Sequence, residues 1–450
     1  MSWMHTQEWM SSIQPERGME DLPLPPRLET MVERLPKSLI NVLDWFHEND
    51  AHVWIVGGAI RNALLGTEIN EYDLATTMTP EAMEAYPDTI PTGRQYGTIT
   101  FRNNGDSYEV TTLRTELGYN DGRRPDEVQW GDSLLVDLSR RDLTMNAIAV
   151  NVSKQTYYDP FNGYDDLNNQ RIRSVGEPVK RLSEDALRIL RCYRFMDQGN
   201  AGIWWPENQL AEALRTTKPM LSRIASERIW SEFKRILLGK QASEIVQRMA
   251  DDGILKQLFG IDWLQHDLAI QLLNQLDGDD VIDRLVVLMR NFNSMECEGF
   301  ATTLRLSGKE KKDLLFRHSK LGHIPEDMDS SIRIYAAVVG TWSHQHLQIE
   351  KLFAAHEAWV SDFSKEDVQR CIDRLNRLKI DFDEQPLASG NYIMQQTNMT
   401  EGPKLGALKA WLFYEQIARN LQSLDEIDRL LCTLSWQSDD ASRWPKLQFP

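Results

Sequence analysis

The spacing of apolar positions changes along the chain. Leu35, Leu39, Ile40, Leu43 and Phe46 recur at helical intervals and predict a helix over 28–49. Between 51 and 160 the apolar runs shorten. Val53, Trp54, Ile55 and Val56 end in Gly57-Gly58, which predicts a buried strand and a tight turn. Residues 59–65 predict a short helix stopped by Gly66, and 72–76 a second strand. Thr79-Pro80 opens another helix, with threonine as cap and proline at the first position. Residues 97–101 and 107–113 predict a hairpin around 103–106, and 147–152 a further strand. From about 165 the strand signals fade. Amphipathic helices are predicted at 184–197, 207–215, 225–238, 241–250, 279–293 and 403–421. The fold class is therefore α+β, a small mixed-sheet head followed by an all-helical remainder. Residues 1–30 predict a loosely ordered N-terminal extension, because the run Leu22-Pro23-Leu24-Pro25-Pro26 cannot lie inside a helix. The domains expected are 1–30, 31–165, 166–240 and 241–450.

No uncharged apolar stretch of about 18 residues occurs, so no membrane span is expected. The first twenty residues lack a basic segment followed by an apolar run, so no secretory signal is expected. Cys192, Cys297, Cys371 and Cys432 stand far apart, without metal-ligand spacing, and suit free thiols in a reducing cytoplasm. The net charge of −17 argues against a general polyanion binder. The charge is uneven, however. Residues 171–240 carry 14 Lys/Arg against 8 Asp/Glu, which makes them either a candidate RNA-facing surface or a solvated arginine-rich helix face.

Several clusters could carry chemistry. Backbone N–H groups at the Gly57-Gly58 turn can cradle a phosphate, and Arg61 can add a fork of donors. Glu71 and Asp73 lie two apart on a predicted strand, so both carboxylates share a face and favour a cation between them. Mg²⁺ takes one or two carboxylates together with phosphate oxygens. Glu109, on the following hairpin, could complete a three-carboxylate metal site. Arg141, Asp142 and Asn146, in Arg140-Arg141-Asp142-Leu143-Thr144-Met145-Asn146-Ala147, can bind a ribose hydroxyl and a triphosphate. Asp185 and Arg188 are spaced to share a helix face, where together they could read a base edge. Taken singly, each cluster also has a purely structural reading: a turn, exposed acids, a helix-end charge cluster, an intrahelical ion pair.

Their order and spacing together resemble the class II tRNA nucleotidyltransferases, a family of CCA-adding enzymes and bacterial poly(A) polymerases. The resemblance rests on Gly57-Gly58, Arg61 and Glu71-Tyr72-Asp73, then on Arg140-Arg141-Asp142 with Asn146-Ala147. It continues through Asp159-Pro160-Phe161-Asn162-Gly163, Glu184-Asp185 with Arg188 and Arg191, and Ala225-Ser226-Glu227-Arg228. It covers about 52–240. It implies a nucleotidyltransferase head (palm), a neck over 166–240 that selects nucleotides and binds RNA, and a helical body and tail that bind tRNA. It further implies CTP and ATP as substrates and two Mg²⁺ held by Glu71 and Asp73, with Glu109 assisting. Gly57, Gly58 and Arg61 would hold phosphates, and Arg141, Asp142 and Asn146 the ribose and triphosphate. Asp185 and Arg188, with Arg191, would choose the base.

Two positions depart from the family pattern: Glu71 and Asn62 stand where the family usually has Asp. The segment 115–125 is similar to the flexible loop of CCA-adding and A-adding members. That ranks CCA addition first, A addition second, poly(A) synthesis third, and a catalytically inactive RNA-binding protein as the rival from another class. His266-Asp267 stands without the other histidines of a phosphohydrolase site.

Overall fold

The computed structural model describes residues 21–117, 127–131, 133–261, 263, 267–437 and 440–449. Most of the loop at 115–125, and His266, fall outside these residues. The described residues divide into two compact units, 1–265 and 266–450.

The first unit is built on an eight-stranded sheet. Its strands are β1 (Leu22–Pro23), β2 (Val53–Val56), β3 (Asp73–Thr76), β4 (Thr89–Gly93), β5 (Thr98–Asn103), β6 (Asp106–Thr112), β9 (Ala149–Asn151) and β10 (Thr156–Tyr158). The order is β1-β10-β9-β2-β3-β6-β5-β4. The β3–β6 pair is parallel and the other neighbours are antiparallel. A separate ribbon pairs β7 (Arg114–Leu117) with β8 (Glu127–Trp130).

Alternation along the strands separates two faces. One carries Ile55, Leu74, Ile99, Phe101 and Val110, all buried. The helix Lys37–Glu48 covers this face, with the ring of Phe46 5.3 Å and that of Trp45 5.7 Å from Phe101. The opposite face packs Val56, Ala75 and Ala149 against Leu138, Phe161 and Val175. It also carries Asp73, Glu109 and the paired hydroxyls of Thr98 and Thr111, 3.0 Å apart.

The α+β class holds, and three details differ from expectation. The helix expected over 28–49 is two helices, Pro26–Glu33 and Lys37–Glu48. Pro36 causes the break, because it has no N–H to donate and disfavours helical backbone at Leu35. Ile40 is 39% exposed, while Leu39, Val42 and Phe46 form the buried stripe. Residues 21–30 are not loosely ordered. Leu22 pairs with Tyr157, Pro26 takes the first position of its helix, and Leu28 is fully buried.

Helices complete the first unit, among them Pro178–Glu184, Leu187–Met196, Asn208–Thr217, Ser226–Leu237, Ala242–Asp251 and Ile254–Phe259. The last two lie beyond the boundary expected at 240 yet belong to the same unit, where Phe259 meets Phe233 at 5.4 Å. Among its described residues the second unit is helical. It contains a buried ion pair, Arg290 with Glu350, and a core in which Trp411 packs on Trp444 at 5.3 Å.

Candidate active site

The carboxylates come first, because burial and mutual repulsion raise one of them. β3 begins at Asp73, so Glu71 lies in the approach to the strand and not on it. Glu71 is exposed, and its charge still reaches Asp73. Parallel pairing sets Glu109 opposite Asp73, on the same face. Burial first, then the charge of Glu71 and more weakly that of Glu109, push the Asp73 carboxyl up to about 6, against the pull of Arg141. Among the described residues, however, no group of three or more His, Cys, Asp or Glu side chains is close enough to hold a metal ion. The three-carboxylate cluster expected with Glu109 is therefore not preformed. Glu71 and Asp73 remain the two acids that could share a cation with water and phosphate oxygens.

The arginines sit above the turn. Gly57 has φ +74°, a conformation only glycine adopts cheaply, and a Cβ there would stand 2.8 Å from Arg141 Nη1. Gly58 then starts the helix Gly58–Leu65, which carries Arg61. Arg61 donates to Asn146 Oδ1 at 2.6 Å and to Asn62 Oδ1 at 3.0 Å, both neutral acceptors. Among the described residues no carboxylate lies within ion-pair distance of it. Burial, then the charge of Arg194 and that of Arg191, lower its pKa to about 10, with Asp142 and Glu71 partly offsetting. Its guanidinium lies 4.9 Å from the Phe195 ring, which Arg194 approaches at 4.1 Å and Arg191 at 5.5 Å. Arg141 donates to the Asn146 carbonyl at 3.3 Å and reaches Asp137 at 3.5 Å, while its buried Nε has no partner. A buried cation with no ion-pair partner among the described residues and a buried donor without an acceptor both suit a polyanion.

Asp142 and Asn146 are already committed. Asp142 accepts from the Leu143 N–H at 2.9 Å, from Asn146 Nδ2 at 3.1 Å and from Arg191 Nε at 2.6 Å. Burial alone would raise its carboxyl, but Arg191 and the Asn146 bond hold it well below the usual carboxylate range. Asn146 thus ties Asp142, Arg61 and Arg141 together.

The pair expected to read the base is arranged differently from the sequence expectation. The helix predicted over 184–197 breaks at Asp185, whose backbone is extended (φ −144°, ψ 103°). Asp185 therefore does not share a helix face with Arg188. Its carboxylate accepts from both terminal nitrogens of Arg228, at 3.3 and 2.8 Å, and from the Leu187 N–H at 3.0 Å. Arg188 donates to Glu184 at 2.8 Å and to the carbonyls of Arg181 and Arg140, each at 2.8 Å. Arg191 binds Asp142 rather than standing free.

Sequence reasoning did not single out Asp137, Arg194, Phe195 or Glu232 for this region. Asp137 is 1% exposed and pairs with Arg140 at 2.6 Å and Arg141 at 3.5 Å. Their i, i+3 and i, i+4 spacing was the available signal. Glu232 binds Arg194, 38 residues away, and no local spacing points to that pair.

Two family models match the chain: the poly A polymerase head domain over residues 53–173, and the probable RNA and SrmB-binding site of polymerase A over 206–260. The CCA-adding enzyme of Bacillus licheniformis is 40% identical over 277 residues, covering 60% of this chain and 69% of that protein. The CCA-adding enzyme of Lactococcus lactis is 30% identical over 399 residues, covering 86% of this chain and 95% of that one. Among solved structures, the Bacillus stearothermophilus CCA-adding enzyme in complex with CTP shares the fold, with a TM-score of 0.74 over 91% of this chain and 98% of that one, at 23% identity. With relatives this similar over this much of their length, the chain belongs to the CCA-adding enzyme family of nucleotidyltransferases.

Proposed function

We propose that this protein rebuilds the 3′ end of tRNA, adding C, C and A in turn from CTP and ATP without a nucleic-acid template. The observation that carries the proposal is a charge pattern. Asp73 faces Glu109 across the parallel strand pair, and burial, with the charge of Glu71 and more weakly that of Glu109, raises its carboxyl to about 6. Arg61 adjoins them with neutral hydrogen-bond acceptors, and Arg141, which reaches Asp137 at 3.5 Å, keeps a buried Nε without a partner. A triphosphate carrying a divalent ion complements both halves.

The donor set suits Mg²⁺, a hard cation that keeps part of its shell for water and phosphate. Glu71 and Asp73 would hold it, with Glu109 adding negative potential. Bound there, Mg²⁺ would lower the pKa of the RNA 3′-hydroxyl and neutralise the phosphates. The chain's own residues do the rest. The Gly57-Gly58 turn lets phosphate approach the backbone, while Arg61 and Arg141 grip the triphosphate tail. Asn146 and Asp142 keep those arginines and Arg191 in position. Asp185 and Arg188 read the base. Each is held by a third residue, Arg228 or Glu184, so the two do not neutralise each other. The 3′-oxygen then attacks the α-phosphorus in line, and pyrophosphate departs. The +6 window over 171–240 and the helices beyond it take the tRNA by its phosphates and shape.

A cytoplasmic location rests on the cysteines, which are all free thiols, three of them buried. No helix among the described residues is long and apolar enough to cross a membrane.

The test is incorporation of single nucleotides. Transcripts of tRNA ending before CCA, after the first C, and after CC are incubated with Mg²⁺ and CTP, ATP or both. Ordered growth of the first transcript to CCA is expected. Growth of the CC-ended transcript alone would make this an A-adding enzyme. An untemplated run of A on RNA other than tRNA would make it a poly(A) polymerase. Intact tRNA binding with no growth at all would leave only an RNA-binding protein.

A further inference from the structure

Two adjoining cavities of about 520 and 490 Å³ open on the first unit and share no residue with the candidate active site. Trp205, Pro206 and Asn208 line both. Their size falls within the range of small-molecule sites, roughly 300–1,000 Å³.

The tryptophan is fixed in place. In an extended segment, successive side chains point opposite ways. Trp204 is accordingly 2% exposed and Trp205 49%. The Trp204 N–H donates to the Met196 carbonyl at 2.9 Å. Ile172 and residues 205–207 exchange backbone bonds, Ile172 N–H to the Trp205 carbonyl at 3.4 Å and Glu207 N–H to the Ile172 carbonyl at 3.1 Å. A large apolar ring is therefore held half in water on an anchored backbone.

Its surroundings are polar in a particular way. The Arg248 guanidinium lies 5.8 Å from the Trp205 ring, steadied by Asp252 at 2.7 Å. Arg215 reaches the same Asp252 at 3.6 Å. Arg171 is half exposed, and its nearest carboxylate, Asp166, is 3.9 Å away. That carboxylate is shared, its other oxygen accepting from Arg173 at 2.9 Å and Thr144 at 2.6 Å, so Arg171 holds only a long ion pair and keeps half its side chain in water. Gln170 and Asn208 present side-chain amides to solvent at the cleft.

An unpaired nucleotide asks for a flat ring to stack on, amides at the edge of its base and a cation near its phosphate. We propose that this cleft binds one unpaired nucleotide of the RNA substrate, with its base on Trp205, Asn208 or Gln170 at the base edge, and Arg171 at the phosphate. The proposal rests on the reading that the substrate is RNA, and adds a contact apart from the place where the bond forms. A duplex, whose base faces are hidden, would not use it.

The test measures binding by the full-length protein to a short labelled single-stranded oligoribonucleotide and to a blunt RNA duplex, with AMP as competitor. Trp205→Ala should weaken oligonucleotide binding about tenfold, the usual scale of base–aromatic stacking. Trp205→Phe should keep most of it, and duplex binding and melting temperature should not change. Equal oligonucleotide affinity for wild type and Trp205→Ala would overturn the proposal. So would AMP displacing the oligonucleotide as well as unlabelled oligonucleotide does, which would make this a free-nucleotide site. Incorporation into tRNA, measured alongside, separates the two readings. Normal incorporation without the tenfold loss removes the cleft and keeps the enzyme. The tenfold loss in a protein that incorporates nothing removes the enzyme and keeps the cleft.

Discussion

Asp73 is a carboxylate that the fold makes uncomfortable. Its pKa is raised above the ordinary value, so the ionised form costs the folded protein stability. The penalty is absent well below pH 3.8, grows as the pH rises toward about 6, and is complete above it. Without divalent ions, Asp73→Asn should therefore raise stability at pH 7.5 by about 1 kcal/mol and change little near pH 4, as read from thermal melts. Added Mg²⁺ should stabilise wild type at pH 7.5 and leave Asp73→Asn unmoved, and the variant should incorporate no nucleotide. A variant less stable than wild type at pH 7.5 would show that the carboxylate is compensated by something else. The two departures from the family pattern bear on the same balance. Asn62 accepts from Arg61 where an aspartate would pair with it, which leaves the Arg61 charge for a phosphate. At this scale the sequence was legible in identities and illegible in partners. Glu71, Asp73, Arg61 and Arg141, the residues proposed for the site, could be picked out from motif order. The Arg228–Asp185 bond could not, because it joins residues 43 apart and no local rule predicts it.

Elements place these residues, and two glycines show how tightly. At Gly163, in the Asp-Pro-Phe-Asn-Gly segment, an added Cβ would lie 2.2 Å from the Thr144 carbonyl oxygen, a backbone atom. Asp159 fastens this segment by accepting from the Gly163 and Tyr164 N–H groups at 2.8 and 2.9 Å. At Gly57 the intruding neighbour is the tip of Arg141, which can swing aside, although φ +74° still penalises a side chain. Gly163→Ala should thus cost the larger share of stability, about 3 kcal/mol or more, by pushing apart two backbone segments. Gly57→Ala, at φ +74° and ψ −122°, should cost about 1–3 kcal/mol and, by displacing Arg141, raise the KM for CTP and ATP more than it lowers melting temperature. Denaturant melts and steady-state kinetics of both variants check this, and an equal stability loss would contradict the geometry.

The elements themselves were mostly readable where a run was long and periodic, as in Ser226–Leu237 or Pro403–Arg419. Short pieces were missed. β4 contains a proline and a glycine, β10 is three residues long, and β1 is two. Such strands are fixed by their neighbours in the sheet and hold too few side chains to show alternation. The break at Asp185 escaped for a related reason, since helical spacing continues across it and only tertiary bonds from Arg228 mark the interruption.

On the scale of the whole molecule, an acidic chain must bind an acidic polymer. Net charge of −17 repels RNA at a distance, and that repulsion weakens as salt screens it. Local contacts behave in the opposite sense, because each phosphate neutralised by Lys or Arg releases counterions and loses affinity as salt rises. The two terms predict slopes of opposite sign, so the salt dependence of binding decides which of them governs. The basic window at 171–240 contains exposed cations such as Arg223, and Arg235, which is 61% exposed and 4.0 Å from Glu232. Local contacts should win. The affinity for tRNA should fall as salt rises from about 50 to 200 mM, with log Kd linear in log salt. Arg223→Gln with Arg235→Gln should flatten that slope by about one for each phosphate contact removed, with little change in melting temperature. A flat or rising affinity in wild type would mean that repulsion from the chain as a whole dominates. An unchanged slope in the double variant would move the RNA-facing surface away from these two arginines.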